Sequence, residues 1–397
     1  MLSSINVSLN KLQMPLFAKK QTNPIKLSQN LRTDVFEKTT NVSNISFTSV
    51  DNSIVGKSIR ELNDVPCPYC GIKIINGKEI NHLNKDNLGG ASKKAIKLLQ
   101  PFEDRMHPVE KQVFHLLKDL SKKNPDKNLR QLLDSVRPEH LENIKQQETA
   151  ILNKISKLAS TIEDKESAKK LDNLLFNSLE ILENQDPNYI FRRRRFLEKL
   201  NIITKKMDDK EKAQEILAIA NEIPRAHDNI SAFVVKFSQK DASTKLEKTP
   251  YQIGLSLVEP SIGSLEHIVP RHPIDGKDGG KNTFENYLYA SKGFNSARKN
   301  MPFDKWVEKN PEIKQYAQNY IDAVIEKINN KQALQRCKIY PIIVAKTLEK
   351  ESKGLIKLDT SKLNMSKKEI SKELNKYYKE RTKSEIKKTN NKLNVSV

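Results

Sequence analysis

Residues 264–303, SLEHIVPRHPIDGKDGGKNTFENYLYASKGFNSARKNMPF, constrain the fold more than any other stretch of this chain. SLEHIVP is a short run of apolar and β-branched residues ending at Pro270, which reads as a strand. From Arg271 to Lys281 the composition turns to Gly, Asp, Lys and Pro, and a loop is expected. ENYLYA reads as a second short strand, and SKGFNSARKNMPF as a short helix stopped by Pro302. Strand, loop, strand, helix is a ββα arrangement, in which one helix is held against a hairpin.

Inside that segment Glu266-His267, Asn286 and Asn295 follow one another in the order and spacing of the HNH family of ββα-metal nucleases, which the segment resembles. The resemblance implies a role for each position. His267 matches the general base that takes a proton from the attacking water, a task suited to an imidazole titrating near neutrality. Glu266 matches the acidic metal ligand and Asn295, on the helix, the second ligand. Asn286 matches the central Asn that hydrogen-bonds across the loop and orients the base. Gly279-Gly280 sits where the family often carries a Gly pair. Arg298 and Lys299 fall where a basic residue approaches the phosphate, and Arg271 is a further candidate for that contact. The implied cofactor is one divalent ion, Mg²⁺ or Mn²⁺, since carboxylate and amide oxygens are hard ligands. The implied activity is endonucleolytic hydrolysis of phosphodiester bonds in DNA, with RNA left open as a substrate. Two other readings stand beside it: a catalytically inactive nucleic-acid-binding protein that keeps the frame, and a nuclease toxin whose helical region docks a partner.

Cys67 and Cys70, in VPCPYCG, have the spacing of a zinc-knuckle hairpin, in which a turn aims two thiolates at one ion. In the family such a pair is completed by a second pair around the last Asn. Here Ser291 and Phe294 occupy those positions. Two readings follow, and the missing pair favours the first. Either the hairpin persists without zinc and Phe294 fills the space as core, or a Zn²⁺ is completed from elsewhere. His82 and Cys337 are the available candidates, and neither has a spacing that demands it.

About 195 residues separate Cys70 from Glu266, and they are patterned for helix almost throughout. HPVEKQVFHLLKDLSKK, LENIKQQETAILNKISKLASTI and AKKLDNLLFNSLEILEN place apolar residues three or four apart on broad faces, the pattern of a packed bundle. Asn124-Pro125-Asp126, Arg137-Pro138 and Asp186-Pro187 read as turns and helix starts. If the Cys hairpin packs on the ββα unit, this bundle is an insertion that leaves one place and returns to it. Arg192, Arg193, Arg194 and Arg195 stand in succession within it, as a candidate phosphate contact or as a solvated basic face.

The fold class expected is therefore mainly α. A helical bundle insertion accompanies a small ββα module, between a disordered N-terminal segment and a basic C-terminal tail. The boundaries read as 1–60 for the N-terminal segment, 61–90 for the Cys hairpin and 91–258 for the insertion. The ββα module takes 259–308, further helices 309–350 (the second bent or broken near Pro341), and a Lys-rich tail 351–397. Residues 331–397 hold 18 basic against 7 acidic side chains, roughly half of the whole-chain excess of +21. Such a tail suits salt-sensitive attraction to a polyanion. No run approaches the ~20 apolar residues that cross a bilayer, and no apolar core of a signal peptide opens the chain. Three cysteines in 397 residues give no disulfide framework. Cytoplasmic location is expected, with no membrane association. A protein partner of the helical insertion and the oligomeric state are left open.

Overall fold

The computed structural model describes residues 59–60, 62–183, 192–238, 248–273 and 279–379. Most of the expected disordered segment 1–60, the middle of the loop after β1, and the last residues of the Lys-rich tail lie outside that set. The described chain is mainly helical, with one two-stranded antiparallel sheet. No helix among the described residues is long and apolar enough to cross a membrane.

The sheet pairs β1 (Gly263–His267) with β2 (Tyr287–Ser291), Glu266 opposite Leu288 and His267 opposite Tyr287. A helix, Lys292–Arg298, follows β2 without a break. The Cys hairpin is bridged to itself at Pro66 and Lys73, and then runs directly onto β1. Ile75 N donates to Ser261 O and Gly263 N donates to Ile75 O, both at 2.9 Å. The excursion between them thus leaves and re-enters the fold at one point.

That excursion contains α1 (Lys85–Leu88), α2 (Ser92–Leu99), α3 (Pro108–Lys123), α4 (Leu129–Ala159), α5 (Lys165–Glu183), α6 (Arg192–Lys206), α7 (Lys210–Ala220), α8 (Ile230–Ser238) and α9 (Pro250–Val258). Their starts are written locally. Asn128 and Gln131 form a reciprocal capping box on α4, and Thr249 and Gln252 one on α9. The bundle has two cores rather than one. Phe114, Leu117, Leu132, Leu133, Phe233 and Ile253 close the first, against Ile75 and Ile262. Ile144, Leu152, Ile155, Leu171, Leu200 and Ile216 close the second.

α4 spans both cores and runs straight through Pro138, where the sequence suggested a break. An interior Pro costs a helix about 3 kcal/mol. Each of Leu132, Leu133, Ile151 and Ile155 offsets about 1.5–3 kcal/mol by leaving water, so packing on both sides overrides the local signal.

The helix after β2 is α10, followed by α11 (Phe303–Lys309), α12 (Ile313–Asn329) and α13 (Tyr340–Glu351). Pro341 lies in the first turn of α13, so it starts this helix instead of bending it. Residues 351–366 are a strap laid along α12, not a loose tail. Ile356 and Leu363 are buried, and Asp359 and Gln318 exchange two hydrogen bonds, at 2.8 and 3.0 Å. A last helix, α14, covers 367–379. The Cys hairpin, sheet, α10 to α13 and strap share one core around Tyr69, Leu288, Phe294, Tyr320 and Tyr340.

Candidate active site

Strand alternation sorts β1 into two faces. Ser264 and Glu266 look toward α10, while His267 looks the other way, its ring 4.8 Å from that of Tyr287 across the ladder. On α10, Asn295 and Arg298 are three residues apart and so share a side of the helix. Asn295 Nδ2 donates to Ser264 Oγ at 3.0 Å and to Leu265 O at 3.2 Å.

Arg298 is the most engaged side chain in the unit, and it is 1 % exposed. Its Nη1 donates to Glu266 Oε1 at 2.6 Å, to His267 O at 2.7 Å and to Tyr69 Oη at 3.1 Å. Nη2 donates to Ile268 O, Nε donates to Met301 O at 3.2 Å, and the guanidinium lies 5.4 Å from the Phe303 ring centre. This corrects the reading of Arg298 as a phosphate contact. Burial and five protein acceptors leave it no surface to present. Glu266, read as a metal ligand, is 4 % exposed and held by that guanidinium. Burial pushes its carboxyl up to about 7, against the pull of Arg298 and the Tyr69 hydroxyl.

On the opposite face Leu265, Tyr287 and Tyr289 are buried, and only the His267 end of the ladder reaches solvent. His267 is half-buried, its Nε2 2.8 Å from Asn282 Oδ1 and 3.4 Å from Arg271 Nε. Arg271 Nη2 also donates to Asn282 Oδ1, at 2.8 Å. Burial lowers the His267 pKa, and the cations Arg271 and Arg298 lower it further, while Asn282 opposes them. The imidazole is therefore neutral near pH 7, the form a base requires.

Asn286 lies across the loop. Its Oδ1 accepts from Val269 N at 2.7 Å, and its Nδ2 donates to Val269 O at 3.1 Å and Lys281 O at 3.0 Å. One buried amide thus ties both ends of the loop together. Gly279 and Gly280 stand at the same closure. A Cβ on them would meet Arg271 O at 1.8 Å and Val269 O at 1.9 Å, so any larger residue would force the loop apart.

The Cys hairpin does pack on the ββα unit. Cys67 Sγ donates to Ser291 Oγ and accepts from Ser291 N, each at 3.4 Å. Burial pushes the Cys67 thiol up, but hydrogen bonds from Cys70 and Ser291 outweigh it and bring the group to about 7; burial pushes the Cys70 thiol up. Phe294 is buried in the same core, its ring 5.3 Å from that of His107. Two thiols, a hydroxyl and a phenyl ring do not fit a tetrahedral Zn²⁺. His82 instead stacks on Phe102, and among the described residues no three His, Cys, Asp or Glu side chains stand together as a metal site.

Arg192, Arg193 and Arg194 have side chains outside the described ones. Arg195 is exposed on α6, which packs on α5 and α7. Lys299 ends α10 with a positive φ of 55° and is half-buried. Reading from the residues missed Tyr69, Ser264 and Asn282. Of these only Tyr69 carried a signal, an aromatic residue inside the C-x-x-C turn.

No family model, curated protein or solved structure matches this chain.

Proposed function

We propose that the chain is a nuclease of HNH type, cleaving phosphodiester bonds in DNA with His267 as the general base. One observation carries the reading: a neutral, half-exposed imidazole beside a guanidinium, on a hairpin whose loop is closed by Asn286. In this arrangement a backbone phosphate replaces Asn282 as the partner of Arg271. Without Asn282 Oδ1 to donate to, the ring takes the tautomer protonated at Nδ1, with Nε2 facing Arg271 as an acceptor, and that bare Nε2 takes a proton from a water in line with the scissile bond.

The resemblance also implies one Mg²⁺ or Mn²⁺, which would polarise the phosphoryl oxygen. As placed, the ligand positions do not fit it. Glu266 is in the fork of Arg298, and Asn295 turns its amide nitrogen onto β1. The same pair favours a second reading, a nucleic-acid-binding frame without hydrolysis.

Supercoiled plasmid, incubated with Mg²⁺, with Mn²⁺ and with chelator, separates the two. Nicking by wild type that disappears in His267→Ala supports the nuclease. Retained gel-shift with no nicking in either protein sinks it and leaves the binder.

A further inference from the structure

The sequence left the basic C-terminal region as a tail beside the unit, but part of it is a built element. Ser366 and Glu369 form a capping box: Glu369 N donates to Ser366 Oγ at 3.2 Å, and Ser366 N donates to Glu369 Oε2 at 2.8 Å. The box starts α14 at a defined place. The strap before it is pinned to α12 by Asn329, whose Nδ2 donates to Lys362 O at 2.9 Å and whose Oδ1 accepts from Asn364 N at 2.9 Å. Along α14, Ile370, Leu374 and Tyr377 are spaced four and three apart and pack onto the core of the ββα unit. At its far end the Tyr377 hydroxyl donates to Glu285, and its ring lies 6.1 Å from that of Phe284. Glu285 directly precedes Asn286, and Tyr287, two residues on, carries the ring against His267.

The outward face of α14 bears Lys368, Lys372 and Lys376, at i, i+4 and i+8, with Lys379 next along the helix. All four are exposed and make no ion pair among the described residues. Glu369 and Glu373 stand three residues before Lys372 and Lys376 but form no ion pair with them among the described residues, so the ammonium groups stay available to a partner. The stripe has the periodicity of a row of ammonium groups laid beside a polyanion. A lipid surface fits it poorly. An interfacial helix must bury its apolar face in the bilayer, and the apolar face of α14 is already spent on the protein core.

We propose that the lysine face of α14 is a docking surface for the phosphate backbone of a nucleic acid, and that the Tyr377–Glu285 contact aligns it with the open edge of the hairpin beside His267. The proposal rests on the nuclease reading for what lies at the end of that path. It does not rest on it for the binding itself.

The test is fluorescence anisotropy of a labelled DNA duplex with the full-length chain, across a range of KCl concentrations, in chelator so that binding alone is read. Lys368→Gln, Lys372→Gln and Lys376→Gln together remove three phosphate contacts. The slope of log K against log salt should flatten by about 2.7. A matched triple variant on the helical bundle, Lys157→Gln, Lys165→Gln and Lys169→Gln, should leave the slope unchanged. Equal slopes in wild type and the α14 variant, or equal flattening by both triples, would overturn the proposal. So would loss of binding to anionic phosphatidylserine vesicles in the α14 variant with duplex binding intact. Cleavage is scored separately. A chain that docks duplex through α14 yet never nicks it refutes the nuclease reading and leaves this surface standing.

Discussion

Replacing Arg298 by Met should be among the most destabilising changes in the unit that holds His267. The substitution keeps most of the apolar stem against Phe303 and removes the guanidinium. Three backbone carbonyls, at His267, Ile268 and Met301, then lose their donors, at about 1 kcal/mol each. Removing one partner of a buried ion pair costs about 3–5 kcal/mol, because the other is left buried without a counter-charge. Glu266 softens that cost by taking up a proton, since burial already pushes it up to about 7. A loss of up to about 6–8 kcal/mol in total is therefore expected at pH 8, and a smaller loss at pH 5. Adding Glu266→Gln to Arg298→Met should recover part of it, an interaction of about 1–3 kcal/mol in a double-mutant cycle. Urea unfolding, read with hydrogen exchange at 263–268 as a local reporter, measures both. A cost under about 1 kcal/mol for Arg298→Met would refute this role of the guanidinium. So would a rise in the wild-type midpoint with Mg²⁺ that Glu266→Gln abolishes, because Glu266 would then be holding the ion rather than the guanidinium.

Three further outcomes follow from the geometry. Cleavage should rise with pH with its midpoint below the ordinary imidazole value of about 6.5, because the folded His267 pKa is lowered; Arg271→Gln should shift that midpoint upward, and a wild-type midpoint above the ordinary value would refute the role given to His267. His107 is buried near Glu110 and His227, with its pKa lowered to about 4, so the unfolded chain takes up the proton first as pH falls. The His107 contribution to stability should thus decline from about pH 6.5 toward 4 by up to about 3 kcal/mol; it is read as the difference between wild type and His107→Phe in pH-scanned thermal melts, because Glu266, pushed up to about 7, contributes with the opposite sign over the same range. Purified wild type should carry no stoichiometric zinc by elemental analysis, while Ser291→Cys with Phe294→Cys, which completes four thiolates, should acquire one ion per chain. Zinc in wild type at one per chain would mean that ligands beyond this cluster reach Cys67.

The hairpin and helix of 263–298 were legible because their signals are local. β-branched runs, Pro270 and the Gly-rich loop each act on their own neighbours, and Asn286 needs only its own hairpin to find its partners. The fate of Glu266 was not legible. It is decided by Arg298 on the next element and by Tyr69, 197 residues away in the chain, which no spacing rule connects. Pro138 and Pro341 show the same limit from the other side. Both carry a turn signal, and tertiary packing settles that one is a helix interior and the other a helix start. The strap at 351–366 looked like low-complexity tail since only two of its apolar residues, Ile356 and Leu363, are buried, too few to register as a period.

The point where the long excursion departs and returns has a consequence for how such a chain can change. Ile75 and Gly263 are adjacent hydrogen-bonding neighbours, so whatever joins them presents its two ends side by side regardless of its size. The entropy of closing a connection grows only logarithmically, about 0.6 kcal/mol for each doubling of its length. Helices can be gained or lost in that interval with little strain on the sheet, provided the new segment folds upon itself and keeps an apolar partner for Ile75 and Ile262. The doorway, more than what lies behind it, is what the hairpin needs to keep.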